Sequence, residues 1–132
     1  MAETKTGAPI KDVGVVMITV SDQDQAIEFY CEKLGFEKLS DTPYGEGDRW
    51  VEVAPPGART PVALVPPMEG GSAGGPTAFA FDTDDAEATR ARLKEAGIDV
   101  DDRLLDVADP APPMFFFRDE DGNQLLVVQR NP

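Results

Sequence analysis

The pattern of apolar and polar positions divides the chain into two similar halves. Residues 15–20, Val-Val-Met-Ile-Thr-Val, are a β-branched run that predicts a strand covered on both faces. A stretch with helical spacing follows. Ser21 or Asp22 supplies an N-cap, and Ile27, Tyr30, Cys31 and Leu34 fall at i, i+3, i+4 and i+7 on one face. Gly35 then stands at the C′ position, where a left-handed residue ends a helix. Two strand-like runs broken by Gly and Pro complete the half, one within residues 44–57 and one within residues 58–67.

The same order recurs after residue 76. Residues 77–85 read as a strand running into a cap. Residues 86–98 read as a helix with Ala86, Thr89, Leu93 and Ala96 on its weaker apolar face, closed by Gly97. A short edge strand, a Pro-rich loop and a hairpin turning at Asp121-Gly122 follow. An offset of 62 carries Asp22 onto Asp84, Ala26 onto Ala88 and Gly35 onto Gly97. The expected organisation is a flexible lead at 1–12, a βαβββ module at 13–67, a Gly-rich linker at 68–76 and a second βαβββ module at 77–130. A lone module leaves one sheet face bare. The pair is therefore expected to form an α+β fold, a curved mixed sheet whose concave cavity receives a ligand.

Composition narrows the chemistry. No apolar run approaches the roughly 18–20 residues needed to cross a bilayer, and the first ten residues lack the basic-then-apolar order of a secretory signal. The single cysteine, Cys31, excludes an internal disulfide and suits a reducing, cytoplasmic setting. The formal net charge is −13, from 25 acidic and 12 basic residues, which argues against nucleic-acid and anionic-membrane partners. Such a surface keeps a protein soluble and can attract a cationic ligand. The chain has no histidine. Ser-His-Asp and Cys-His nucleophilic sites are thereby excluded, and acid–base work would fall to Asp, Glu, Lys, Tyr or Cys.

The stretches TVSDQDQAIEFYCEKLGFE, AFAFDTDDAEATRARLKEAG and FRDEDGNQLLVVQ together resemble the vicinal oxygen chelate superfamily, which includes glyoxalases, extradiol dioxygenases and bleomycin-resistance proteins. The resemblance spans residues 13–129. It implies paired βαβββ modules, usually in a homodimer, and in many members a divalent metal held by His, Gln and Glu. The positions it implies for those ligands are Val15, Ala63 (Leu64 if the register slips by one), Ala78 (with Thr77 beside it) and Leu126. Methyl and methylene groups cannot coordinate a cation, so no metal and no cofactor are expected.

Period-two alternation places Val15, Met17 and Thr19 on the face of the lost ligands, with Val16, Ile18 and Val20 against the helix. Ala78, Ala80, Asp82, Leu126 and Val128 follow the same rule. Trp50 shares a face with Glu52, and Met114 with Phe116, but both faces of these strands are apolar and alternation alone does not choose between them. The expected pocket comprises Val15, Met17, Trp50, Glu52, Ala63, Ala78, Ala80, Met114, Phe116, Leu126 and Val128. Trp50 suits stacking on a planar ligand or an interface. Glu52 suits a cationic group, or a solvated strand position. Arg49 and Arg118 suit a carboxylate ligand or the surface, Tyr44 suits a pocket mouth, and Cys31 suits the core. The expected function is metal-free binding of a small, cationic, aromatic molecule. The alternatives are a glyoxalase- or dioxygenase-type enzyme, a metal-independent enzyme using Glu52, Asp82 or Tyr44, or a module that pairs with another chain.

Overall fold

A computed structural model describes residues 7–130. Two βαβββ units follow one another. The first contains β1 (Val16–Thr19), helix α1 (Gln23–Ile27) with a π-helical continuation (Glu28–Lys33), β2 (Glu37–Tyr44), β3 (Asp48–Ala54) and β4 (Val62–Val65). The second contains β5 (Gly75–Thr83), α2 (Ala86–Glu95), β6 (Asp99–Val100), β7 (Met114–Arg118) and β8 (Asn123–Gln129). Each makes its own four-stranded sheet, in the orders β1-β4-β3-β2 and β5-β8-β7-β6. The first strand of each unit runs parallel to the last, and the remaining pairs are antiparallel. The tandem α+β architecture is as expected from the sequence. The strands form two hydrogen-bonded sheets rather than one.

Alternation decides what each sheet buries. Ile18, Val20, Val51, Val53, Val62 and Leu64 point from the first sheet towards Ala26, Phe29 and Tyr30. Phe115, Phe117, Leu125 and Val127 do the same in the second sheet beside Ala86 and Ile98. All belong to one apolar cluster that crosses between the units, where Phe36 meets Phe81 edge-on at 5.6 Å. Each fully buried side chain of this size is worth about 1.5–3 kcal/mol over leaving it in water.

The helices correct the repeat. The caps are Asp22, which accepts from the Gln25 N–H, and Asp85, which accepts from the Ala88 N–H. The equivalent of Asp22 is thus Asp85 rather than Asp84, an offset of 63. At the closing glycines, Gly35 and Gly97, the offset returns to 62. The extra residue of the first helix is taken up by the π turn, in which Leu34 N–H reaches back five positions to Phe29 C=O at 3.1 Å. This turn also rotates the buried face, so Phe29 is buried beside Tyr30 while Cys31 is only half-buried.

The expected linker is shorter than read. Gly75 and Pro76 already belong to β5, paired with Asn123 and Gln124. Of the expected lead, residues 1–6 lie outside the described part. Residues 7–12 carry no regular structure, and Asp12 pairs with Arg59.

The β7–β8 hairpin ties the units together. Buried Asp119 accepts from the backbone N–H groups of Asp121 and Asn123 with one oxygen, and from Tyr30 Oη and Asn123 Nδ2 with the other. The same Asn123 amide donates to Thr19 C=O at the end of β1, at 2.9 Å. Asp121 takes both the backbone N–H and the hydroxyl of Ser21. The D-x-D-G-N motif is therefore both a turn and an inter-unit clamp.

Candidate ligand-binding site

Register settles which residues share the sheet faces turned away from the helices. In the first sheet Met17 lies beside Ala63, Ala63 beside Glu52 and Glu52 beside Ser40, a row across all four strands. Trp50, two positions from Glu52 and opposite Thr42, shares this face. Val51 and Val53, on the other face, are fully buried. In the second sheet Ala80 lies beside Leu126 and Leu126 beside Phe116, while Asp82 and Met114 flank Val128. Trp50, Glu52, Met114 and Phe116 thus lie on the helix-free faces with the other expected pocket residues.

The four positions that the resemblance assigns to metal ligands are related by the same offset as the caps. Val15 and Ala63 in the first unit correspond to Ala78 and Leu126 in the second, each by the 63-residue offset of the caps. All four side chains are aliphatic and offer no donor. Among the described residues no group of three or more carboxylates or thiols could hold a metal ion. The residues present do not fit the family's metal.

Within one chain these faces stay open. Ala63 is fully buried, but Met17 is 57% exposed, and Ala78 and Ala80 are exposed. The structure does not gather the eleven expected residues into one enclosed cavity. A groove of about 710 Å³ between β1, β4 and β5, lined by Val16, Val62, Phe79 and Phe81, takes in only Ala80 of them.

Polar groups on and near these faces differ in how far they are already engaged. Glu52 accepts from Trp50 Nε1 at 2.7 Å. Asp82 is exposed and paired with Arg130 at 2.9 Å. Tyr44 is exposed at the end of β2, so Glu52, Asp82 and Tyr44 are not drawn into one constellation by any contact. Arg49 grips Asp41 with two bonds of 2.9 Å and also pairs with Asp24. That grip holds the Asp41 carboxyl down at about 2. Arg118 is held between Asp99 and Asp101. Neither arginine is left over for a ligand carboxylate. Half-buried Cys31 packs against the core, and burial pushes its thiol up, away from the reactive thiolate. Ser40 and Thr42 were not evident from the sequence as neighbours of Glu52 and Trp50. Their strand alternates weakly, and only the register brings them there.

The Glyoxalase/Bleomycin resistance protein/Dioxygenase superfamily matches this chain over residues 12–127. The chain belongs to that superfamily. A superfamily member of known structure from Sphaerobacter thermophilus is 35% identical, with a TM-score of 0.84 over 92% of this chain and 98% of its own. TnmS3, an antibiotic binding protein from Streptomyces sp. CB03234, is 36% identical, with a TM-score of 0.80 over 93% of this chain and 98% of its own. YetH of Bacillus subtilis, of uncharacterized function, is 33% identical over 91% of this chain and 99% of its own.

Proposed function

We propose that this chain is a binding protein for a small aromatic molecule, working without the superfamily's metal. Its cleft is lined by Val15, Met17, Trp50, Glu52 and Ala63 from one unit and by Ala78, Ala80, Met114, Phe116, Leu126 and Val128 from the other. A second copy of the chain covers the open faces and completes the cleft. The observation that carries this reading is the chemistry of Val15, Ala63, Ala78 and Leu126, aliphatic side chains at the four positions that the resemblance gives to metal ligands. The likeness to TnmS3 supports it, since that protein is an antibiotic binder on the same scaffold.

The test has two arms. Tag-free protein is analysed for bound metal and for thermal shifts with Zn²⁺, Ni²⁺, Mn²⁺ and Fe²⁺. It is also dialysed to equilibrium against a panel of aromatic amphiphiles and antibiotics. A ligand that binds only the native state raises its melting temperature. The expected result is saturable binding of panel members, abolished by Leu126→Arg, with no metal-induced shift. Stoichiometric metal, or the absence of saturable binding, would overturn the proposal.

A further inference from the structure

Five described acidic side chains are not exposed: Asp41, Glu52, Asp101, Asp119 and Asp121. Four are well partnered. Asp41 and Asp101 face Arg49 and Arg118, Asp119 collects four donors, and Asp121 takes two from Ser21. Glu52 differs. Among the described residues its one hydrogen-bond partner is the Trp50 indole N–H, which uses a single lone-pair site of about four on the carboxylate. The groups on the neighbouring strands are Ala63 and Ser40, and no salt bridge among the described residues reaches Glu52.

Removing a carboxylate from water without a counter-charge is costly, so a half-covered acid on an apolar face is completed best by a cation. The indole beside it strengthens that preference. Its N–H edge is fixed on Glu52 Oε2, which sets the ring's orientation, and an aromatic face attracts positive charge. The apolar row of Met17 and Ala63 leads up to the pair and suits the uncharged body of the same molecule. The net charge of −13 draws cations towards it.

Resting on the reading that the helix-free faces bind a small molecule, we propose that Glu52 and Trp50 form a cation-recognition pair. The ligand class is then an aromatic molecule bearing a protonated amine. Trp50 places the carboxylate and flanks the cation, and Glu52 receives the ammonium.

The test uses a matched pair of probes, dansylcadaverine and its N-acetyl derivative, which share one aromatic body and differ by the ammonium charge. Affinities are measured by dansyl fluorescence for the wild type, Glu52→Gln and Asp48→Asn. Asp48 is exposed on the same hairpin, so its variant controls for net charge alone. The expected result is that the wild type prefers the amine by about tenfold, as a charge-assisted contact predicts. Glu52→Gln abolishes the preference while keeping the affinity for the acetylated probe, and Asp48→Asn retains the preference. Equal binding of both probes, or an equal loss in both variants, overturns the cation pair and leaves the apolar cleft standing. Failure of both probes to bind saturably overturns the pair together with the binding reading beneath it.

Discussion

Tyr30 donates its hydroxyl to Asp119 Oδ2 at 2.7 Å, joining the first helix to the last hairpin across 89 residues of sequence. Both side chains are buried, and burial together with the Asp119 charge pushes the phenol well above its ordinary range. The hydroxyl is therefore a fixed donor that holds the two units in register.

Tyr30→Phe removes that donor and leaves Asp119 with the Asn123 amide and two backbone N–H groups. The expected loss is about 1.5–3 kcal/mol, the net contribution of a hydrogen bond to a charged group. Asp119→Ala strands the Tyr30 hydroxyl, one of the two Asn123 amide hydrogens and two backbone N–H groups together, and is expected to cost about 3 kcal/mol or more. Urea unfolding followed by circular dichroism measures both. A Tyr30→Phe protein as stable as the wild type would remove the clamp from the account of the fold.

Gly74 marks where the linker meets the same hairpin. Its backbone N–H donates to Asn123 Oδ1 at 3.0 Å, and its φ is +102°. A Cβ built there would lie 2.7 Å from the carbonyl oxygen of Asp121, a backbone atom that cannot swing aside. Gly74→Ala therefore combines backbone strain with a clash and is expected to cost about 2 kcal/mol or more. Gly70→Ala is the control, with a similar φ of +79° and nothing within 4 Å. It should cost only the conformational part, about 1 kcal/mol. Equal losses in the two variants, read from denaturation midpoints, would count against the close approach.

The hairpin also makes stability pH-dependent. Glu120 is an exposed residue, but partial covering of its carboxyl, reinforced by Asp119 and Asp121, raises that carboxyl from 4.5 to about 7. The folded state then binds more protons than the unfolded chain between these values. Stability consequently falls as pH rises from about 4.5 to about 7. Asp41 acts in the opposite sense, since its folded value is lowered from 3.8 to about 2 by Arg49. Its contribution is present above pH 3.8 and is lost as pH falls towards 2. Glu120→Gln should gain stability relative to the wild type at pH 8 and not at pH 4, and Asp41→Asn should flatten the acid limb. Thermal melts at stepped pH check both slopes.

The duplication, the first cap and the alternation of the strands were legible because local signals agreed with the global fold. An Asp cap, a closing Gly and period-two alternation each fix a position without reference to distant residues. What could not be read was whatever depends on a partner strand or on one extra residue. The π turn hid the true offset, because a single inserted residue looks like helix from either side. Strand β2 was not evident, since it is an edge strand with mostly exposed side chains and carries Pro43. The faces of Trp50 and Phe116 were undecidable, as both faces of their strands are apolar. The hairpin motif was read as a turn, and its bonds to Thr19, Ser21 and Tyr30 emerge only from packing.

The openness of the helix-free faces leads to the last prediction. Ala78 and Ala80 are exposed and Met17 is 57% exposed, while Phe116 and Leu126 beside them are half-buried. Met17 lies on β1 and Ala78 and Ala80 lie on β5, and each of these strands is an edge of its sheet. Bare edges beside apolar faces invite pairing with another chain. A second copy can place one unit's face against the other unit's face and cover both. Light scattering should then give twice the chain mass of 14.2 kDa. Ala80→Arg puts a charge on the exposed edge strand of the second face, points away from the core and leaves the helix-side packing intact. It should yield a folded 14.2 kDa monomer that has lost ligand binding. A folded Ala80→Arg dimer would place the contact elsewhere, and a monomeric wild type that still binds the probes would mean one chain completes the cleft alone.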